Sequence, residues 1–352
     1  MTPGQAHRPP AGGWVDWADA WAEALYGGSG FYRSAAGPAG SFATSSQGIP
    51  MVGEVLAGAL VELARREGLT SFVDFACGRG ELVTRMHRLA PDLSCVGVDV
   101  VARPHALPDP VRWVQAGGGP GVPGDLGGAL GASGCAAAGG TLVMANEWLD
   151  VVPCTVAELD DHLVLRTVQV QPRTGAERLA DPLTEADLRW CERHWPMDRC
   201  RPGDRVEVGR SRDAAWQGLV AAVSALDRLG PSLVAAVDYG HTAAARPAAG
   251  TLTGFRDGVQ VAPVPDGSSD LTAHVAMDSL GADEVRDQRA MLRELGVRGT
   301  LPDRALSRAD PASYLGGLAR SFAETALLAR GGLGELSWAI SRVHPPTGRL
   351  PA

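Results

Sequence analysis

The chain has 352 residues, 45% hydrophobic and 20% charged, a composition that builds a sizeable core without staples. Its formal net charge of −8 excludes a broad basic surface for nucleic acid. The six cysteines are scattered, no apolar run reaches membrane-spanning length, and no cationic start leads into an apolar core. A reduced, cytoplasmic protein without a signal peptide is therefore expected.

Residues 1–13 are Pro/Gly-rich and read as a disordered tail. "WVDWADAWAEALY" (14–26) sets its aromatics at helical spacing, so its tryptophans read as core or a partner-facing groove. A Gly/Ser loop follows over 27–46, anchored by Phe31, Tyr32 and Phe42. Loops this long in compact domains are usually functional, and Gly37, Gly40, Phe42 and Thr44 are expected to fold over a cofactor. Residues 50–68 form a helix that ends at Gly68.

Five strand-like runs come next, at 71–76, 93–100, 111–115, 141–147 and 232–240. They are apolar without alternation and separated by helical stretches, which predicts a parallel sheet covered on both faces. An excursion over 154–210 reads as a hairpin, a charged helix and a final strand; a helix over 213–230 then feeds the fifth strand. The tail, 282–345, reads as helical with Gly/Pro breaks. The fold class is α/β, a Rossmann-like sheet with helices on both faces and an inserted subdomain. Its expected parts are a tail (1–13), N-terminal helices with a covering loop (14–68), a cofactor-binding core (69–153), the insertion (154–210) and the rest of the core with a helical C-terminal region (211–345).

"VDFACGRGELV" (73–83) ends the first strand and opens a helix. In parallel sheets ligands bind beyond the carboxyl ends of the strands, and Gly78 and Gly80 let a ligand approach the backbone. Asp99 ends the second strand, where a carboxylate accepts bonds from ribose hydroxyls. Both a dinucleotide and S-adenosylmethionine fit such a loop. A dinucleotide wants G-x-G-x-x-G before a free helix N-terminus; here Glu81 stands at the third glycine, and a carboxylate repels a pyrophosphate. The sulfonium and ammonium of adenosylmethionine tolerate Asp74 and Glu81, so adenosylmethionine is the expected cofactor.

Further motifs join the loop: "GFYRSAAGPAGSFATSS" (30–46), "NEWLDVVP" (146–153), "VDYGH" (237–241), "GTLTGF" (250–255) and "SSDLTAHVAMDSL" (268–280). In order and spacing, from about residue 26 to 340, they resemble the MidA-type family of class I methyltransferases, which includes the mitochondrial complex I assembly methyltransferase. The resemblance implies adenosylmethionine-dependent methyl transfer to a polypeptide. Two departures stand out. Ala76 replaces the first glycine of the family's loop, and Ser41 and Ser46-Gln47 replace an acidic pair at the site entrance. The mitochondrial member methylates an arginine, and the loss of the acidic pair puts that specificity in doubt here. Two alternatives therefore stand beside it: a small-molecule methyltransferase of specialised metabolism, and a non-catalytic assembly protein that keeps the fold.

The candidate cofactor residues are Asp74, Ala76, Gly78, Gly80, Asp99, Gln115, Asn146, Phe42 and Thr44. The candidate catalytic residues are Glu147 and Asn146, ending the fourth strand, with Asp238 and with His274, read at a helix start capped by Asp270 or Thr272. Asp150 reads either as a cap of the following turn or as part of the chemistry. Cys191, His194 and Cys200 make three zinc ligands where a tetrahedral site wants four, so no metal is expected. The expected partner is a methyl acceptor, whether protein, peptide or small molecule, with neither nucleic acid nor membrane; homodimer formation stays open.

Overall fold

A computed structural model describes residues 13–33, 49–116, 121–133, 139–226 and 230–344. Gly37, Gly40, Phe42 and Thr44 lie outside the described residues, as does the entrance segment 41–47.

All five expected strands form. They are β2 (Leu69–Phe75), β3 (Ser94–Asp99), β4 (Arg112–Gln115), β5 (Gly140–Asn146) and β10 (Ser232–His241). They run parallel in the order β10-β5-β2-β3-β4. Each run is apolar on both faces because each face meets a core. On β2, Phe72 joins one core and Val73 and Phe75 the other; on β5, Leu142 and Met144 part from Val143 and Ala145 in the same way. The first core is closed by α2 (Val52–Arg66) and α3 (Glu81–Leu89), the second by α4 (Leu126–Ala132) and α6 (Arg210–Ser224).

The tail departs from its helical expectation. It holds α7 (Gln288–Glu294), α8 (Leu306–Ala309) and α9 (Pro311–Leu327), but also β15 (Glu284–Asp287) and β16 (Leu336–Val343). β16 pairs antiparallel with β10 from Ser232↔Val343 to Tyr239↔Leu336, and β15 pairs with β16. The reason is a period of two: Leu336, Trp338 and Ile340 enter the first core, Ala339 and Val343 the second. A short β14 (Val275–Ala276) runs parallel to the end of β10.

Residues 155–208 build a second sheet. Its strands are β6 (Thr155–Leu159), β7 (Leu165–Val170), β8 (Glu177–Pro182) and β9 (Arg205–Val208), with α5 (Glu185–His194) between the last two. The N-terminal β1 (Val15–Asp16) joins it beside β7. A third sheet has the order β12 (Val259–Val261), β11 (Thr253–Arg256), β13 (Asp270–Thr272).

Helix α1 (Trp17–Tyr26) bridges the second and third sheets. Trp17 and Trp21 are core residues, not a surface groove. The Trp21 indole N–H donates to the Leu271 carbonyl at 3.0 Å, and that of Trp17 to Glu177 Oε1 at 2.7 Å. The first bond ties α1 to β13, and the second ties the start of the helix to β8.

Candidate active site

Beyond the carboxyl ends of β2, β3 and β5 lies one cavity of about 950 Å³. Its floor is the loop 76–80 between β2 and α3. Ala76, Gly78 and Gly80 all take left-handed backbone, with φ of 57°, 60° and 79°. Gly80 avoids the strain of a side chain at φ 79° and leaves room for the Leu107 side chain, whose Cδ1 a Cβ would meet at 2.7 Å. Among the described residues a Cβ at Gly78 would have only Glu81 Oε2 within 4 Å, so they leave this backbone open to a ligand.

Ala76 carries strain that glycine would not, about 1–2 kcal/mol for an L-residue in this region. Ala76→Gly is expected to keep the fold, to raise stability by about 1 kcal/mol and to hold S-adenosylhomocysteine at least as tightly. Thermal melts and calorimetry read both; collapse of binding would show that the Ala76 methyl is part of the pocket.

Two carboxylates tie this loop down from inside. Asp74 Oδ2 accepts the Val83 N–H at 3.0 Å, in the first turn of α3. Asp99 Oδ2 accepts the Gly78 N–H at 2.7 Å, and its Oδ1 the Val101 N–H at 3.2 Å. Burial pushes the Asp74 carboxyl up to about 8 against the pull of the Val83 N–H. Burial likewise pushes Asp99 up to about 6, opposed by its backbone bonds. The helix N-terminus that would meet a pyrophosphate is thus already capped by the protein's own acid.

The opposite wall starts where β5 ends. Glu147 also has left-handed backbone, φ 54°, with its N–H bonded to the Val237 carbonyl at 2.7 Å. Its Oε1 accepts the Asn146 side-chain amide at 3.1 Å. Both residues line the cavity, as do Trp148 and Asp150 in the next turn. Asp150 lies inside that turn rather than at its start, and its N–H donates to Asp238 Oδ1 at 3.1 Å.

The far end holds residues the sequence did not single out for the site. Tyr32 donates to Asp270 Oδ1 at 2.8 Å, and Leu271 N–H to the same oxygen at 2.9 Å. Tyr26 donates to the Val151 carbonyl at 3.3 Å, and its ring centroid lies 5.4 Å from that of Tyr32. Burial drives both phenols well above 10 and lifts Asp270 to about 8. Behind them Arg212 is fully buried, donating to the carbonyls of Asp150, Val152 and His274. It braces the wall and opposes the burial that raises Asp150.

Asp74, Ala76, Gly78, Gly80, Asp99, Asn146 and Glu147 therefore meet around one cavity. Three candidates are placed elsewhere. Gln115 is exposed at the end of β4, its amide on the Val100 carbonyl at 3.3 Å, while Ala116 reaches the wall. Asp238 is fully buried behind Asp150; burial first and the Asp150 charge second hold its carboxyl well above the usual range. His274 starts no helix: it lies between β13 and β14, its N–H on Thr251 Oγ1 at 2.8 Å and its ring stacked on Tyr239 at 5.8 Å. Asp270 and Thr272, expected as caps, are strand residues, because Asp270 spends its oxygen on Tyr32 and the Ala273 N–H is drawn to the Asp150 carbonyl. Among the described residues no group of three or more His, Cys, Asp or Glu is placed to hold a metal, and burial pushes the Cys191 thiol up to about 12. No described helix is long and apolar enough to cross a membrane.

These raised carboxyls fix the sign of a pH dependence. The unfolded chain releases its carboxyl protons near pH 4, whereas folded Asp74 and Asp270 keep theirs to about 8. The native state then binds more protons, so stability falls as pH rises through that window. His241, lowered to about 3 by burial, has the opposite sign, but only below the ordinary histidine value of 6.5. The melting temperature is expected to fall between pH 6.5 and 8.5, which a pH series of melts would read; a rise would contradict these protonation states.

A parallel sheet with a glycine loop after one strand and an acid ending the next suits class I methyltransferases and dinucleotide-binding proteins alike. Two structures from Burkholderia thailandensis share it. One, bound to S-adenosyl-homocysteine, superposes with a TM-score of 0.66 at 20% identity over 94% of this chain and 87% of its own. The other, the native structure of an uncharacterized protein, gives 0.65 at 21% over the same shares. Among curated proteins, none matches this sequence. Residues 103–293, more than half of the chain, match the family described as "Putative S-adenosyl-L-methionine-dependent methyltransferase". The chain belongs to that family: it is an S-adenosylmethionine-dependent methyltransferase, as its motifs led one to expect.

Proposed function

We propose that the chain transfers the methyl group of adenosylmethionine to a polypeptide acceptor, with Asp99, Gly78 and Gly80 holding the donor and Glu147 and Asn146 facing the acceptor. The observation that carries the donor assignment is the pair of internal caps, Asp74 on the Val83 N–H and Asp99 on the Gly78 N–H. They occupy the N–H groups of the loop and of the first turn of α3 that a pyrophosphate would need, and Asp99, raised only to about 6, adds a negative charge that suits a cationic donor. Adenosylmethionine supplies a methyl already activated on a positive sulfur. The protein is left to align the acceptor, exclude water and present an unprotonated nucleophile.

Motif order supports the polypeptide reading. The replacement of the acidic entrance pair by Ser41 and Ser46-Gln47 favours a second one, a small-molecule acceptor. Calorimetry is expected to show binding of S-adenosylhomocysteine and none of NAD; NAD binding with no response to the sulfur ligand would remove the proposal. Labelled donor incubated with the protein and a lysate of its own host then separates the readings, since label appears in the protein fraction or among the metabolites.

A further inference from the structure

Three acids crowd the inner end of the cavity. Asp270 is 0% exposed, and Asp150 6%. Asp270 Oδ1 is committed to the Tyr32 hydroxyl and the Leu271 N–H, while its Oδ2 is buried without a hydrogen-bond partner among the described residues. The Asp150 N–H donates to Asp238 Oδ1 at 3.1 Å, and Asp150 Oδ1 is buried without a partner among the described residues. Glu147 lies within electrostatic reach of Asp270. An unpartnered buried carboxylate oxygen is costly and needs a ligand, ion or function to account for it.

We propose that Asp270 and Asp150, walled by Tyr26 and Tyr32, form a subsite for an amine, so that the nitrogen methylated is an ammonium-type nitrogen and not a guanidine. This rests on the proposed methyl transfer. The selection comes from how the oxygens are offered. A guanidinium binds as a planar fork, taking both oxygens of one carboxylate. Here one oxygen of each acid stands buried without a partner among the described residues, Asp270 Oδ2 and Asp150 Oδ1. Single oxygens from separate acids suit a compact cation that donates in three directions. The two tyrosine rings, tilted by 46°, add faces that attract an alkylammonium.

The chemistry balances within these groups. An ammonium has no lone pair, so it must shed a proton first; Asp270, protonated at rest because burial lifts it to about 8, takes that proton in the ionised form that a bound cation favours and passes it to solvent. The nitrogen–carbon bond then forms as the sulfur–carbon bond breaks with its pair on sulfur. A carboxyl lifted to about 8 by burial exchanges protons with an amine far more readily than an ordinary one.

The test uses full-length protein, tritiated methyl donor and a lysate of its own host, split into protein and metabolite fractions. Part of each is amine-blocked with acetic anhydride, part guanidine-blocked with phenylglyoxal. Expected is a labelled N-methylamine on hydrolysis, abolished by acetylation and kept after phenylglyoxal; the fraction carrying it tells protein from small-molecule source. Methylarginine, a methyl ester or a methyl ether overturns the subsite while leaving methyl transfer intact. No label, despite bound S-adenosylhomocysteine, overturns the methyl-transfer reading and this one with it. Asp270→Asn is expected to lower kcat/KM for the labelled acceptor roughly thirtyfold or more, with unchanged affinity for S-adenosylhomocysteine. A matching loss of that affinity would assign the carboxylate to the donor's own ammonium and overturn the proposal. The product analysis needs no variant, so it stands if Asp270→Asn fails to fold.

Discussion

Glu147→Gln is expected to lower methyl transfer about a hundredfold or more, the usual cost of losing a positioned base. Donor affinity should stay within about twofold, because an interaction made with the reacting acceptor lowers the barrier without helping the donor bind. The substitution isolates charge from shape. Gln retains an Oε1 that accepts the Asn146 amide, and the backbone N–H bond to Val237 does not involve the side chain. Single-turnover rates and calorimetric dissociation constants measure the two effects separately. Equal rates for variant and wild type would strip Glu147 of its role, and a large loss of donor affinity would move it to the cofactor side of the cavity.

Asp99→Ala should weaken S-adenosylhomocysteine binding by about 1.5–3 kcal/mol if a charged acceptor bonds both ribose hydroxyls, about 10- to 150-fold in Kd. Asp99 also accepts the Gly78 N–H from within, so the variant loosens the loop under the ligand as well as losing a contact. Asp99→Asn retains one oxygen, enough for the Gly78 N–H, and replaces the other, which accepts the Val101 N–H, with an amide NH2. Its affinity is expected to fall between wild type and Ala. An unchanged Kd for Ala would take Asp99 out of the site.

What was legible in the sequence was local. The five parallel strands each carry their signature within one apolar run, and the loop 76–80, Asp99 and Asn146-Glu147 follow directly from where those runs end. What was hidden depends on distant pairing. Tyr32 meets Asp270 across 238 positions and Trp21 meets Leu271 across 250, so no window of sequence shows the inner end of the cavity. Arg212 looks like a surface residue opening a helix, yet it is buried under three carbonyls contributed by residues about sixty positions away. β16 was recoverable: its alternation between two cores is in the letters, masked by the helical tail before it. His274 was misplaced because Asp and Thr before an apolar run are also what a strand shows when its acid is claimed by a tertiary partner.

Ala76 and Glu147 are alike in one further respect. Each directly follows the last residue of its strand, β2 and β5 are neighbours, and both residues step into the same left-handed conformation. The crevice opens because two adjacent chains turn off together, held by the sheet and by the Val237 carbonyl. Its shape is consequently built before anything enters, and the strain of about 1–3 kcal/mol per residue is borne by the resting protein. A ligand meeting such a surface has little ordering left to impose. Along these two lips, discrimination between ligands therefore falls on rejection of misfits by a rigid mould, not on closure around whatever arrives.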